Sequence, residues 1–140
     1  MMRKGYVRWV VGFLVAGTAM PCLAESGVDL VVSDVVASAV APKILVVIRN
    51  QGTKALTKNV SVELRMDDMV IGAQEITDTI KSGPNPLYVE FPRPEQLAPG
   101  LHYLSARIDP DESIKEVSKA NNMKGISVWV NGNQEGGRAR

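Results

Sequence analysis

The chain has little of the chemistry on which most enzymes and metal proteins depend. Its 140 residues include one cysteine and one histidine, and aromatic residues make up 5%. One cysteine excludes an intramolecular disulfide framework and a cysteine-rich metal cluster, and one histidine leaves most catalytic triads and zinc sites incomplete. Lys and Arg number 16 against 15 Asp and Glu, so the basic excess of a nucleic-acid-binding protein is absent too. We therefore expect one small domain that is not an enzyme, requires no cofactor and has no nucleic-acid partner.

Long hydrophobic runs are also scarce. The main one extends from Trp9 to Met20, roughly 12 residues, whereas about 18 or more are needed to cross a bilayer. Three basic residues precede this run, and the segment ends in a small residue, Ala24, just before Glu25. This order is typical of a secretory signal peptide over residues 1–24. We expect export to the periplasm or the cell exterior, cleavage after Ala24 and no membrane span afterwards.

Two alternatives to cleavage after Ala24 remain open at this point. Cys22 follows the apolar run, as a lipidated cysteine does, but Pro21 stands where lipoprotein signals carry a small residue. The other alternative is that the segment is retained as an anchor. Cleavage would leave 116 residues with no cysteine and a net charge of 13 − 15 = −2, so that core packing alone would hold an exported fold together.

Period-two alternation dominates the rest of the chain. Residues 60–66 are the clearest case, because Val60, Val62, Leu64 and Met66 fall on one face and polar residues on the other. The full set of predicted strands covers residues 30–36, 43–50, 60–66, 69–76, 87–91, 101–109 and 126–130. Turn residues separate them, which predicts an all-β antiparallel β-sandwich over residues 25–130.

Two segments do not follow the strand pattern. Residues 111–120 are the one place where a helical turn fits the sequence. Residues 131–140 lack apolar side chains to bury, so we expect a disordered C-terminal tail.

Carboxylates cluster late in the chain. Asp109, Asp111 and Glu116 lie within eight residues of one another, and carboxylate oxygens are the ligands that Ca²⁺ prefers. Their spacing does not match an EF-hand, so calcium is a hypothesis about this cluster and not a motif match. In the alternative interpretation the aspartates accept local backbone hydrogen bonds that fix a turn, and Ile114 and Val117 plug the end of the sandwich.

Two aromatic residues are candidate binding residues. Tyr103 and Trp129 would share a sheet face if the last two strands pair, and an aromatic pair on such a face stacks on sugar rings or anchors a protein partner. The alternative is that they finish the sheet against a neighbouring loop. His102 falls on the apolar face of its strand and has no carboxylate at a recognisable spacing, so it is interpreted as a hydrogen-bonded packing residue.

Several of these features occur together, in the same order, in a known family. The chain resembles CARDB, the cell-adhesion-related domain found in bacteria, in Val28-Asp29-Leu30-Val31-Val32, Val47-Ile48-Arg49-Asn50-Gln51-Gly52-Thr53, Pro99-Gly100-Leu101-His102, Ile108-Asp109-Pro110-Asp111-Glu112-Ser113-Ile114-Lys115-Glu116 and Asn121-Asn122. The resemblance covers residues 28–130 and implies an immunoglobulin-like sandwich of about seven strands. It also implies an exported prokaryotic protein in which the module serves as a spacer or a binding unit.

Three functions follow from these expectations. The first is an exported, non-enzymatic interaction module of the adhesion type, whose partner is a protein or a cell-surface component. The second is an accessory structural subunit of an envelope complex. A carbohydrate-binding module that uses Tyr103 and Trp129 is the third.

Overall fold

Seven strands form the regular structure of residues 27–37 and 41–132, which are the residues that the computed structural model describes. They are β1 (Leu30–Val36), β2 (Lys43–Asn50), β3 (Val60–Met66), β4 (Met69–Ile76), β5 (Leu87–Pro92), β6 (Gly100–Ile108) and β7 (Met123–Val130). The predicted signal peptide and residues 133–140 of the predicted tail lie outside the described residues. Inside them, no helix is long and apolar enough to cross a membrane.

The strands form two antiparallel sheets, with the orders β1-β2-β5 and β4-β3-β6-β7. The predicted all-β sandwich of about seven strands is therefore confirmed. The alternation of apolar and polar residues predicted most strand bounds correctly, because in a strand every second side chain faces the core. The last strand begins three residues earlier than predicted, at Met123, where pairing with Arg107 of β6 extends the ladder beyond the apolar pattern.

The expected helical turn in residues 111–120 is absent. This segment consists of turns and bends, and Glu116 forms a parallel bridge with Val28 while its carboxylate accepts the backbone N–H of Leu30. A residue bound by its side chain to β1 and by its backbone to the segment just before β1 is held away from helical geometry. Contacts distant in sequence thus override the local preference.

The core lies between the sheets and is aliphatic. Nineteen buried side chains form one cluster. Each fully buried Val, Leu, Ile or Phe contributes about 1.5–3 kcal/mol relative to its exposed state. Phe91 is the aromatic member, and its ring packs so close to Gly72 that a Cβ there would lie 2.7 Å from a ring carbon. Gly72 therefore lets the edge strands β4 and β5 approach each other.

Two aspartates form the hairpin turn between β3 and β4. Asp67 and Asp68 have φ angles of 49° and 65°, the left-handed region that a two-residue turn requires at both positions. Non-glycine residues seldom adopt it, although Asp is among those that do so most readily. Asp67 is held there by its backbone, because its N–H donates to the carbonyl of Tyr103 at 2.8 Å.

Candidate functional site: the outer face of strands β6 and β7

The last two strands pair and bring the two predicted binding aromatics to one face. Leu101 lies opposite Trp129, and Tyr103 lies opposite Ser127. Leu101, Tyr103 and Trp129 are 67%, 48% and 62% exposed. We call these three residues the β6–β7 patch. Tyr103 and Trp129 are diagonal neighbours, a spacing across which large side chains interact.

Gly125 shapes the patch. A Cβ built on Gly125 would lie 1.9 Å from the hydroxyl oxygen of Tyr103, so the phenol ring rests directly on the backbone of β7. Any side chain at this position would displace Tyr103. The glycine thus fixes where the aromatic ring lies on the outer face, while Trp129 stands beside it.

His102 points away from the patch and fastens the strands beneath it. Its Nδ1 lies 2.5 Å from Oδ2 of Asp67, and its Nε2 lies 2.6 Å from the carbonyl oxygen of Ala98. The sequence expectation that no carboxylate relates to His102 is therefore wrong. The contact spans 35 residues and arises because β6 pairs beside β3, a register that spacing along the chain does not reveal.

Both partners of His102 are hydrogen-bond acceptors, so the protonated ring, which has two N–H donors, satisfies both contacts. The Ala98 carbonyl, and then the Asp67 carboxylate, raise the pKa of His102. The Tyr103 N–H and the imidazole in turn lower the pKa of the Asp67 carboxyl. We call His102, Asp67 and the carbonyl of Ala98 the His102 clamp, which joins the β3–β4 turn to the loop before β6 and favours the protonated ring.

The predicted calcium ligands lie at the opposite end of the sandwich. Asp109 is 1% exposed and has a φ of 53°. Its Oδ1 accepts the N–H and the hydroxyl of Ser113 at 2.9 and 3.0 Å, and its Oδ2 accepts the N–H of Ile114 at 3.0 Å. These are the bonds of a side chain that fixes a tight turn. Ile114 is buried, but Val117 is 40% exposed.

Glu116 is half-buried and bonded on both oxygens. Oε2 accepts the N–H of Leu30 at 2.9 Å, and Oε1 accepts the side-chain amide of Asn122 at 2.7 Å. Burial raises the pKa of the Glu116 carboxyl, and the charge of Asp109 adds to the shift, whereas the two hydrogen bonds oppose it. Glu116 thereby ties the loop before β7 to β1.

The three carboxylates do not converge. Asp111 is exposed, and among residues 27–37 and 41–132 no group of three or more His, Cys, Asp or Glu side chains is arranged to hold a metal. The side-chain carbonyls of Asn121 and Asn122 are buried without a hydrogen-bond partner, but the amide nitrogens of these residues already bind Asp29 and Glu116. A preformed calcium cage is not part of the described structure, and the calcium hypothesis stays a prediction.

A buried polar network around Asn50, at the same end of the sandwich as Asp109, was not predicted from the sequence. Asn50 is fully buried at the end of β2, and its Oδ1 accepts the N–H groups of Asp29 and Gly52. Its amide nitrogen donates to the carbonyls of Lys54 and Ile80. The sequence does contain one indication of this network, because Asn50 is a polar residue at the end of a β-branched strand and directly before a turn.

Comparison with known proteins agrees with this geometry. The CARDB family model matches residues 27–125. The chain belongs to the CARDB family. This CARDB domain also resembles a solved domain of a candidate cell surface protein from Methanosarcina acetivorans, with 25% identity and a TM-score of 0.64, over 74% of this chain and 91% of that one.

Two structures of a CARDB domain from Pyrococcus furiosus show the same fold. The crystal form, which contains di-metal ions, has 16% identity and a TM-score of 0.54 over 74% of this chain and 88% of that one. The solution form has 19% identity and a TM-score of 0.51 over 74% and 92%. No curated protein matches the sequence.

Proposed function

We propose that this CARDB domain is an exported, non-enzymatic interaction module of a prokaryotic cell surface, and that the β6–β7 patch is its contact surface. The observation that carries the proposal is the exposure of Leu101, Tyr103 and Trp129 side by side on a face that is otherwise polar along β3. Adjacent aromatic and aliphatic side chains left in water are typical of sites that bind a partner. The resemblance to a domain of a candidate cell surface protein supports the location.

The preorganisation of the patch supports the same function. Tyr103 is held by its backbone to Asp67 and rests on Gly125, so little side-chain freedom remains to be lost on binding. A protein partner or a cell-surface component, including a sugar ring, would stack on this surface. Catalysis has no support, since His102 is engaged on both nitrogens and lies beneath the patch.

Truncation of the tryptophan tests the proposal. Trp129→Ala should abolish retention of the protein on envelope preparations and on whichever glycans of an array the unaltered protein binds. Tyr88→Ala is the matched control, because Tyr88 is also an exposed strand aromatic, at 59%, but lies on the other sheet. Equal retention of both variants would refute the patch as the contact surface.

An accessory structural role in an envelope complex is the second candidate. In that role the β6–β7 patch would contact another subunit of the complex. A free module should migrate alone in size exclusion, whereas a subunit should co-purify with a defined set of envelope proteins. Retention of that set by Trp129→Ala would place the assembly contact elsewhere on the domain.

The calcium proposal has its own test. A CARDB domain from Pyrococcus furiosus contains di-metal ions, and Asp109, Asp111 and Glu116 are the carboxylates of this chain to examine for an equivalent. The melting temperature should rise in millimolar calcium and fall in EDTA if the cluster rearranges around the ion, because a ligand that binds only the folded state stabilises it. Equal melting temperatures would exclude calcium.

A further inference from the structure

The four edge strands of this sandwich differ in how well they are protected. β1 has a bulge between Val32 and Asp34, and the N–H groups of Leu30, Val32 and Val35 already bond to Glu116, Asn121 and Asp34. β4 is bulged near Val70. β5 ends in Pro92, which has no N–H, and the carbonyl of Glu90 accepts the side-chain amide of Gln74. Bulges, prolines and capping side chains are the usual means of blocking an edge.

Among the described edges, β7 has the longest ladder without a bulge or a proline, from Met123 to Val130. The N–H of Ile108 bonds to the carbonyl of Asn122, and the ladder from there to Val130 is regular. Because bonding direction alternates along a strand, the backbone groups of Gly125, Ser127 and Trp129 point away from β6. The carbonyl of Asn121 also points away from β6, since it accepts the N–H of Val32, which agrees with odd-numbered residues of this strand facing outward.

β1 covers only the start of this edge. Lys124 donates to the carbonyl of Ser33, and beyond it no described residue bonds to the outward groups of residues 125–129. These groups are backbone donors and acceptors with the spacing of a strand, so an extended polypeptide would pair with them. The side chains beside them decide which polypeptide fits.

We propose that the occupant is the same edge of a second copy, paired antiparallel about a two-fold axis at Ser127. In this register Ser127 faces Ser127 of the second copy, and Trp129 faces Gly125 of the second copy. Gly125 carries the Tyr103 ring on its outer side, so Trp129 of one copy packs beside Tyr103 of the other. The large side chain is thus matched to the position that has none, as an isologous contact requires.

The area of this contact is small for a stable interface. Trp129, 62% exposed, and the backbone of residues 125–129 would bury on the order of 400 Å² per copy, against about 800 Å² per partner in a standard stable interface. The dimer is therefore weak, with a Kd above about 10 µM, and forms where copies are concentrated at a surface. It deepens the proposed function, since it merges two β6–β7 patches into one face of an eight-stranded sheet.

Sedimentation of the exported chain over a range of concentrations tests the proposal. The unaltered protein should shift from monomer to dimer, whereas Ser127→Lys and Ser127→Glu should each remain monomeric, because like charges would face each other across the axis. Mixing the two variants should restore a dimer. Ser127→Ala, which keeps the edge, should behave as the unaltered protein does.

The outcomes separate this proposal from the proposed function. An unaltered protein that stays monomeric at about 1 mM, charge variants that still dimerise, or a mixture that does not, would each overturn the self-pairing. Ser127→Pro removes only an outward N–H, which an edge strand tolerates, and gives an independent monomeric variant. Retention on envelope material by that monomer would leave the proposed function intact while locating it in a single patch.

Discussion

The two ends of the sandwich use their polar and apolar groups in opposite ways. At the end near Asp109 and Asn50, buried polar side chains bond to backbone groups of distant segments. On the β6–β7 patch, large apolar side chains stand in water. The residues that carry the family resemblance lie mostly at the first end, whereas the proposed binding residues Tyr103 and Trp129 lie outside those motifs. Most of the family residues thus lie where buried polar groups fix the fold, and of the β6–β7 patch only Leu101 is among them.

Asp109→Ala, at the end held by buried polar groups, should destabilise the domain more than any other substitution proposed here. The change removes the acceptor of three hydrogen bonds and leaves the buried N–H of Ile114 unsatisfied. We expect a loss of about 3–5 kcal/mol in the free energy of unfolding, measured in urea. Asp111→Ala, at an exposed position in the same turn, should change it by less than about 0.5 kcal/mol. Equal losses would mean that Asp109 does not hold the turn.

Asn50→Ala should have the next largest effect. The asparagine joins the segment before β1, the loop after β2 and the bridge at Ile80, and its removal leaves the buried N–H of Asp29 without its acceptor. A loss of about 2–4 kcal/mol is expected in the same urea measurement. Asn50→Asp keeps the acceptor but sets a buried carboxylate oxygen against the carbonyls of Lys54 and Ile80, so it should be at least as destabilising as Asn50→Ala.

The His102 clamp predicts a pH-dependent contribution to stability from the patch end. The pKa of His102 is raised in the folded state, so its contribution is fully present below the unfolded value of 6.5 and is lost as the pH rises through the folded pKa. The pKa of Asp67 is lowered, so its contribution is present above 3.8 and is lost as the pH falls through the folded pKa. The melting temperature of His102→Gln should therefore differ most from that of the unaltered protein at pH 5–6, and least above the folded pKa of His102. A constant difference across the range would contradict the clamp.

Trp129→Ala should have the smallest effect on stability. The indole is 62% exposed, so the free energy of unfolding should change by no more than about 0.5 kcal/mol while retention on envelope material is lost. A large destabilisation would show that Trp129 finishes the sheet and does not serve a partner, which is the alternative that the sequence left open.

The strands could be predicted because side-chain alternation is local. Residues 43–50 even indicated a central strand, and Val47 on the outward face of β2 is only 9% exposed. The clamp and the Asn50 network could not be predicted, because each depends on which strands become neighbours. The exposure of Tyr103 and Trp129 on one face followed from alternation once β6 and β7 were assumed to pair.

The unequal protection of the edges limits how far this sheet can grow. The proposed pairing about a two-fold axis uses the β7 edge of both copies, and each of the other three described edges is interrupted, by a bulge in β1 and β4 and by a proline in β5. Assembly through the β7 edge alone would therefore end at two copies. A domain displayed in high numbers could then associate with its neighbours without forming a fibre.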